Sequence, residues 1–377
     1  MAAAGLRLSE FSTPVMTVHE AAMTHNERTV FDWASVTGVQ LAPHGKTTMA
    51  PALWSRLIDA GAWGISVATP WQAGVAVEAG VNRVLIANGV TDAAAAHHLG
   101  ELLQNAPDLR LLCWADSPDT VDILSSALTD PARPLDVLVE LGGDGGRTGA
   151  RTMQEGERIA ERIAAAPGLR LAGVAGYEGP FGPDREPGSI DAVDAFLDTL
   201  VALHRRLTYP EDLRPVLTAG GSAFPDRVAE VLGRQSADAD VVLRSGAFQI
   251  HDDGFYTRMS PFGTAVPTDP LRSAMHAWAR VVSQPEPGLA LLDAGRRDVP
   301  FDIDLPIPQS LAGRITALND QHAFLQLSPD AEARVGEVVR LGLSHPCTAF
   351  DKWRVVPVID DPDAEDPLVI GAVATCF

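Results

Sequence analysis

LAPHGKTTMAP, residues 41–51, is an apolar run that ends in a polar, glycine-containing turn. PALWSRLIDAGAW (51–63) follows with the apolar spacing of an amphipathic helix. Lys46 therefore stands where a strand gives way to a helix. Its neighbours are small and hydroxyl residues, no carboxylate adjoins it, and the chain has few lysines. A lysine so placed can lose its charge on desolvation and serve as nucleophile or base. For an arbitrary lysine a solvated surface position is the plainer reading. Here the βα loop it opens, and the turns at other strand ends, point the other way.

Outward from this stretch, short apolar runs alternate with helix-like segments. The strand candidates are VQLAPH (39–44), GISVAT (64–69), RVLIANG (83–89), LRLLCWAD (109–116), LDVLVEL (135–141), RLAGVAGYEG (170–179), RPVLTAGGS (214–222) and DVVLRSGAF (240–248). Thr69 and Ser117 stand at N-cap positions, each followed by proline at the first helical position. Eight such strands predict a (β/α)8 barrel, with parallel strands buried on both faces. An open doubly wound sheet is the competing fold, but no Gly-x-Gly-x-x-Gly turn follows the first strand. After Pro261 the texture changes to short strand-like runs among Pro, Gly and Asp: AWARVVSQ, GLALLDAG, GRITALND, HAFLQLS and GEVVRLGLS. This predicts a mostly antiparallel β domain. TPVMTVHE (13–20), a strand with no helix before it, is free to join that sheet. The expected organisation is a barrel over residues 21–262 and a β domain built from 1–20 plus 263–377. The acidic stretch 360–367 reads as a surface loop.

Composition narrows the function classes. The 377 residues are 46% hydrophobic, enough for a substantial core, and carry a net charge of −20. That charge argues against nucleic acid and against an anionic membrane surface. Solubility is the simplest use of it. No apolar run reaches transmembrane length, and the first residues lack the apolar core of a signal peptide. Three cysteines, Cys113, Cys347 and Cys376, lie far apart, which speaks against a disulfide framework and fits a reducing cytoplasm.

In a barrel, function sits at the C-terminal ends of the strands. The first end offers His44 and Lys46. The fifth offers Glu140 and then GGDGGRTG with Arg147, and the sixth Tyr177. The seventh ends in Thr218, Ala219, Gly220, Gly221 and Ser222, the eighth in Arg244, Ser245, Gly246 and Ala247. Glycine-rich turns after strands seven and eight are where barrels commonly bind phosphate, because glycine lets backbone N–H groups approach the anion. Either turn alone reads as a tight turn. Together, opposite a lysine on strand one, they favour a phosphorylated cofactor held against an amine, which is what pyridoxal phosphate requires. In the β domain, LSHPCTAFDKW sets His345 and Cys347 two apart, on one face if the segment is a strand. Imidazole and thiolate suit zinc, but two donors do not make a site, and a buried cysteine beside a histidine is the plainer reading of the pair alone. His322 alone reads as a structural or surface histidine.

These residues resemble the fold type III pyridoxal phosphate enzymes over nearly the whole chain, and more narrowly the D-serine dehydratase and D-threonine aldolase group with its alanine racemase-like barrel. PHGKT with Lys46 resembles the Schiff-base motif. GGRTG with Arg147 resembles the arginine-bearing loop, which implies a contact to the cofactor's phenolic oxygen. GVAGYEG implies that Tyr177 faces the cofactor. TAGGS (218–222) and RSGAF (244–248) resemble the two phosphate turns. LLDAG and the DQH around His322 are similar to landmarks of the β domain. SHPC resembles the metal motif and implies zinc, or another divalent metal, on His345 and Cys347. Ser245, where the family often has proline, Phe248, where an aromatic hydroxyl is common, and Arg296 and Arg297 depart from the pattern.

Members with His-x-Cys resemble dehydratases, whereas aldolases more often show His-x-Asp. The resemblance thus implies a pyridoxal phosphate- and zinc-dependent dehydratase, an ammonia-lyase of D-3-hydroxy amino acids such as D-serine. Lys46 would carry the cofactor and serve as base. It also implies a homodimer. A D-threonine-type aldolase is the alternative. A racemase needs a second base, commonly a tyrosine from the β domain, and the three tyrosines here, Tyr177, Tyr209 and Tyr256, all precede that domain. A non-catalytic cofactor carrier of this fold type would lack the β domain.

Overall fold

The computed structural model describes residues 5–128 and 133–377. Residues 1–4, the start of the segment expected in the β domain, lie outside them. The described residues fall into two compact units: those of 31–46 with 54–128 and 133–246, and those of 5–30 with 47–53 and 247–377.

The first unit holds the alternating strands and helices. Its eight strands are Gln40–Leu41, Ile65–Val67, Arg83–Gly89, Arg110–Ala115, Leu135–Leu141, Leu169–Gly176, Val216–Ala219 and Asp240–Leu243. All pairs are parallel, and the eighth strand returns to the first. An isolated bridge between His44 and Ser66 joins the first strand's extension to the second, so the sheet closes as the predicted barrel. Ala42, Leu85, Leu112, Trp114, Leu138, Ala175, Val216 and Val242, with Trp63, pack into one buried cluster drawn from strands all round the sheet. Strands buried on both faces show continuous apolar runs, which is why they were legible. The caps also fall where expected: Thr69 Oγ1 accepts from Gln72 N, and Ser117 Oγ from Thr120 N, each at 3.2 Å. The first strand is shorter than predicted because Pro43 has no N–H to give the ladder.

At the opposite end of the strands from the glycine-rich turns, Asp136 on the fifth strand is 1% exposed. It accepts from Arg110 Nε at 3.0 Å and Arg170 Nε at 2.6 Å. The guanidinium groups of Arg83 and Arg110 each lie 5.6 Å from the Trp63 ring.

The second unit contains a ten-stranded, mostly antiparallel sheet among the described residues. Its long strand Met275–Glu286 pairs with Val338–Gly342, with Leu289–Leu292 and with the N-terminal strand Val15–His19. The N-terminal strand also pairs, in parallel, with Val355–Ile359. Alternate residues Ala277, Ala279 and Val281 enter a buried core with Met16, Val18, Leu325, Val339 and Leu341. The expected recruitment of the N-terminal strand is therefore observed. The stretch 360–367 is the loop between Val355–Ile359 and Leu368–Ala374.

Replacing Asp136 by alanine strands two arginines beneath the barrel. Asp136→Ala is expected to lower the unfolding free energy by about 2 kcal/mol, less than the ~3–5 kcal/mol for a fully buried pair because solvent reaches both guanidinium groups. A urea titration checks this as a lower midpoint at unchanged slope.

Candidate active site

The barrel is stitched together where Lys46 leaves it. Ala42 N donates to Leu243 O at 2.9 Å, and Ser66 N donates to Pro43 O at 3.0 Å. Ser66 Oγ donates to Ala42 O at 2.8 Å. Gly45–Thr47 then forms one 3-10 turn that carries Lys46. Trp54 Nε1 donates to Gly45 O at 3.2 Å. His44 packs on the eighth strand's turn: a Cβ on Gly246 would fall 2.7 Å from His44 N, so only glycine fits there. His44 Nδ1 is buried and finds no hydrogen-bond partner among the described residues. Desolvation, then the charges of Lys46, Arg244 and Arg147, hold the imidazole well below its usual pKa. It is neutral at pH 7.

The two glycine turns are tied to each other and to Tyr177. Ser245 Oγ donates to Gly221 O at 2.6 Å. A Cβ on Gly221 would fall 2.9 Å from Tyr177 Cε2. The Arg147 guanidinium lies 4.6 Å from the Tyr177 ring centroid. Contacts thus run from His44 to Gly246, from Ser245 to Gly221, and through Tyr177 to Arg147. Ser222 and Ala247 follow Gly221 and Gly246 in the chain. Thr218 is placed differently: its hydroxyl donates to Val242 O at 2.7 Å and accepts from Arg244 Nη1 at 2.6 Å, within the sheet.

Two carboxylates lie at these strand ends. Glu178, fully buried, accepts from Gly220 N at 2.9 Å and Gly221 N at 2.8 Å. The N–H groups offered to phosphate on the seventh strand are therefore already held. Burial raises the Glu178 pKa, and the two N–H bonds and Arg244 oppose that rise. Glu140 accepts from Thr148 Oγ1 at 2.7 Å. Burial pushes its carboxyl up to about 7. Arg244 is buried against Trp114, 4.9 Å from the ring, and donates to Gly176 O at 2.6 Å. Desolvation lowers its pKa to about 10. The loop bearing Arg147 folds around another arginine. Arg151 Nη1 donates to Thr148 O at 2.9 Å and Gly149 O at 2.5 Å, and Nη2 to Arg147 O at 2.5 Å.

In the second unit, the SHPC segment is not a strand. Pro346–Phe350 forms a short helix with Pro346 at its first position, and His345 precedes it with φ +65°. Proline cannot donate to a sheet ladder and suits a helix start. The turn still keeps His345 and Cys347 together. His345 Nδ1 lies 2.5 Å from Asp302 Oδ2, and Thr348 Oγ1 donates to Asp302 Oδ1 at 2.7 Å. Asp252 Oδ2 accepts from His345 N at 2.8 Å. The partnership with Cys347, and then Asp302, pushes the imidazole pKa up to about 9 against desolvation. Cys347 Sγ sits 3.4 Å from Thr47 Oγ1. His322 is exposed on a turn.

The donor set of the first unit fits pyridoxal phosphate: an amine, a guanidinium stacked on Tyr177, a buried imidazole nitrogen with no partner among the described residues, and the glycine turn of the eighth strand. The second unit supplies one imidazole and one thiol. Among the described residues no cluster of three or more His, Cys, Asp or Glu side chains converges on a metal site, so His345 and Cys347 fit a metal only as an open two-residue site. Sequence reading missed Glu178, Arg151 and Asp302. Each acts across the fold, and no local pattern marks it.

Comparison with known proteins finds two family matches along the chain. Residues 18–223 match the family model described as alanine racemase, N-terminal domain, and residues 274–359 match a serine dehydratase domain model. A D-threonine aldolase of Arthrobacter sp. is 27% identical over 97% of this chain and 93% of its own. The crystal structure of a D-threonine aldolase from Filomicrobium marinum superposes with a TM-score of 0.86 at 26% identity, covering 99% of this chain and 97% of that one. D-threo-3-hydroxyaspartate dehydratase from Delftia sp. HT23 shares the fold at 20% identity, with a TM-score of 0.77 over 98% of this chain and 99% of that one. A cysteine-to-alanine mutant of a dehydratase of that name is described as a metal-free form. With the match covering more than half its length, this chain belongs to the alanine racemase N-terminal domain family, the fold type III pyridoxal phosphate proteins.

Proposed function

We propose that the protein is a pyridoxal phosphate- and zinc-dependent dehydratase of D-3-hydroxy amino acids, D-serine or a relative. The observation that carries this reading is the His345–Cys347 pair. Its thiol lies 3.4 Å from Thr47 Oγ1 within the same unit. Relatives named for D-threonine and D-3-hydroxyaspartate support the substrate class.

Pyridoxal phosphate, when bound, supplies an electron sink for the charge left at the substrate Cα. The rest is asked of the chain. Lys46 would hold the cofactor through its Nζ, and the same Nζ, when free, would serve as the base for the α-proton. His44, neutral at pH 7, adds no second cation beside that amine. Arg147, stacked on Tyr177, would offer its positive charge to the cofactor's phenolic oxygen. Gly220 N and Gly221 N are held by Glu178; by the resemblance of the two turns, Ser222, Gly246 and Ala247 would hold the phosphate. His345 and Cys347 would hold a divalent metal, an N/S donor pair that suits zinc, and such an ion would supply Lewis-acid chemistry at the β-hydroxyl. Water is lost in the elimination and returned in hydrolysis of the enamine, leaving a 2-oxo acid and ammonia.

Aldol cleavage is the second reading. It is favoured by D-threonine aldolase relatives that match along nearly the whole chain. A base would take the β-hydroxyl proton, and the Cα–Cβ bond would break to give glycine and an aldehyde.

Purified protein given D-serine and D-threonine, with and without a chelator, separates the two. Dehydration predicts ammonia and a 2-oxo acid, lost with chelator and restored by zinc. Glycine and an aldehyde would overturn it. Cys347→Ala is expected to cut elimination by on the order of 10²-fold or more, the share of a Lewis acid worth several kcal/mol, while bound cofactor absorbance persists. Full elimination by that variant would contradict the role of the thiol.

Glu140 predicts a pH effect. Its carboxyl is raised to about 7, so the fold favours the protonated form. The stability it contributes is present below its unfolded value near 4.5 and is lost as pH rises through 7. Glu140→Gln removes this loss, so its stability relative to the parent should rise between pH 5 and pH 8. Thermal midpoints of both proteins over that range check the sign.

A further inference from the structure

The segment Asp302 to Asp304 lies some forty residues before SHPC, yet its carboxylates close on it. Asp302 Oδ2 is 2.5 Å from His345 Nδ1. Its other oxygen accepts from Thr348 Oγ1 at 2.7 Å. Thr348 is one turn of chain beyond His345, so imidazole, carboxylate and hydroxyl form a closed triangle, with Thr348 Oγ1 also 3.4 Å from His345 Nδ1. The backbone of His345 is fixed separately, by Asp252 on its N–H and by Pro346 after it. What remains adjustable is the imidazole ring, which Asp302 holds through Nδ1 beside its other partner, Cys347.

We propose that Asp302 is a positioning residue for metal binding. By accepting the Nδ1 proton it fixes the tautomer and ring orientation that leave His345 Nε2 as the donor atom, and Thr348 locks the carboxylate in that posture. This rests on the metal reading of His345 and Cys347 given above. A carboxylate on the far nitrogen of a ligating histidine orients the ring and raises its basicity, and losing one typically weakens metal binding 10–100-fold. Both Asp302 oxygens already receive protein donors, which favours a supporting role over direct ligation. Asp302 is exposed, so truncating it removes no core packing.

The test is zinc affinity of the full-length, pyridoxal phosphate-loaded protein, read by competition with a chromophoric chelator. Asp302→Ala should weaken zinc binding about 10–100-fold. Asp302→Asn, which keeps an oxygen for the Nδ1 proton, should recover part of that loss. The cobalt-substituted variants should keep the parent's thiolate-to-metal charge-transfer band and ligand-field pattern, because the donor atoms are unchanged. Zinc affinity of Asp302→Ala within twofold of the parent overturns the proposal. A weaker site with an altered cobalt spectrum makes Asp302 a ligand and also overturns it. A parent protein that binds no zinc, or a His345→Ala protein that binds it undiminished, defeats the metal reading itself and this inference with it.

Discussion

The seam that closes the barrel places the lysine. Pro43 ends the first strand's ladder, and Ser66 takes over with its N–H on Pro43 O and its hydroxyl on Ala42 O. The chain is thereby pinned three residues before Lys46. From the other side the eighth strand presses in so closely that residue 246 has no space for a side chain beside His44. A lysine on a loop of ordinary freedom would spend much of its conformational entropy in solvent. Here it leaves a turn fixed by three strands and by the Trp54 indole bond to Gly45.

Charge at the strand ends follows from burial. Arg147 and Arg244 bring two guanidinium groups to one end of a closed barrel, where they limit the rise that burial gives Glu140, and Arg244 does the same for Glu178. Glu178 does two jobs. It counters Arg244, and it fills the N–H pair of the seventh strand's turn as an anion would. A glycine-rich turn in a barrel is thus not automatically open to a ligand, because the protein can supply its own carboxylate.

Much of this was legible in the sequence, for physical reasons. Parallel barrel strands are buried on both faces, so each wrote an uninterrupted apolar run, and Thr69-Pro70 and Ser117-Pro118 announced helices through cap chemistry. The change of texture after Pro261 marked the sheet that the N-terminal strand completes. What could not be read were pairings of distant residues. Glu178 meets glycines some forty positions later, and Asp302 meets His345 across a similar gap. The segment at SHPC was read as a strand, whereas Pro346 starts a short helix there. Thr218 looked like part of a phosphate turn because its neighbours are glycines, while its hydroxyl in fact binds Val242 and Arg244.

Everything proposed for this protein requires that Lys46 carry the cofactor. The chain has two lysines, Lys46 and Lys352, and the second pairs with Asp351 near the Phe301 ring in the other unit. Borohydride reduction of the protein with pyridoxal phosphate, followed by peptide mapping, separates them with one measurement. The account predicts a single pyridoxyl group, on Lys46. A label on Lys352, or none on any lysine, would contradict it.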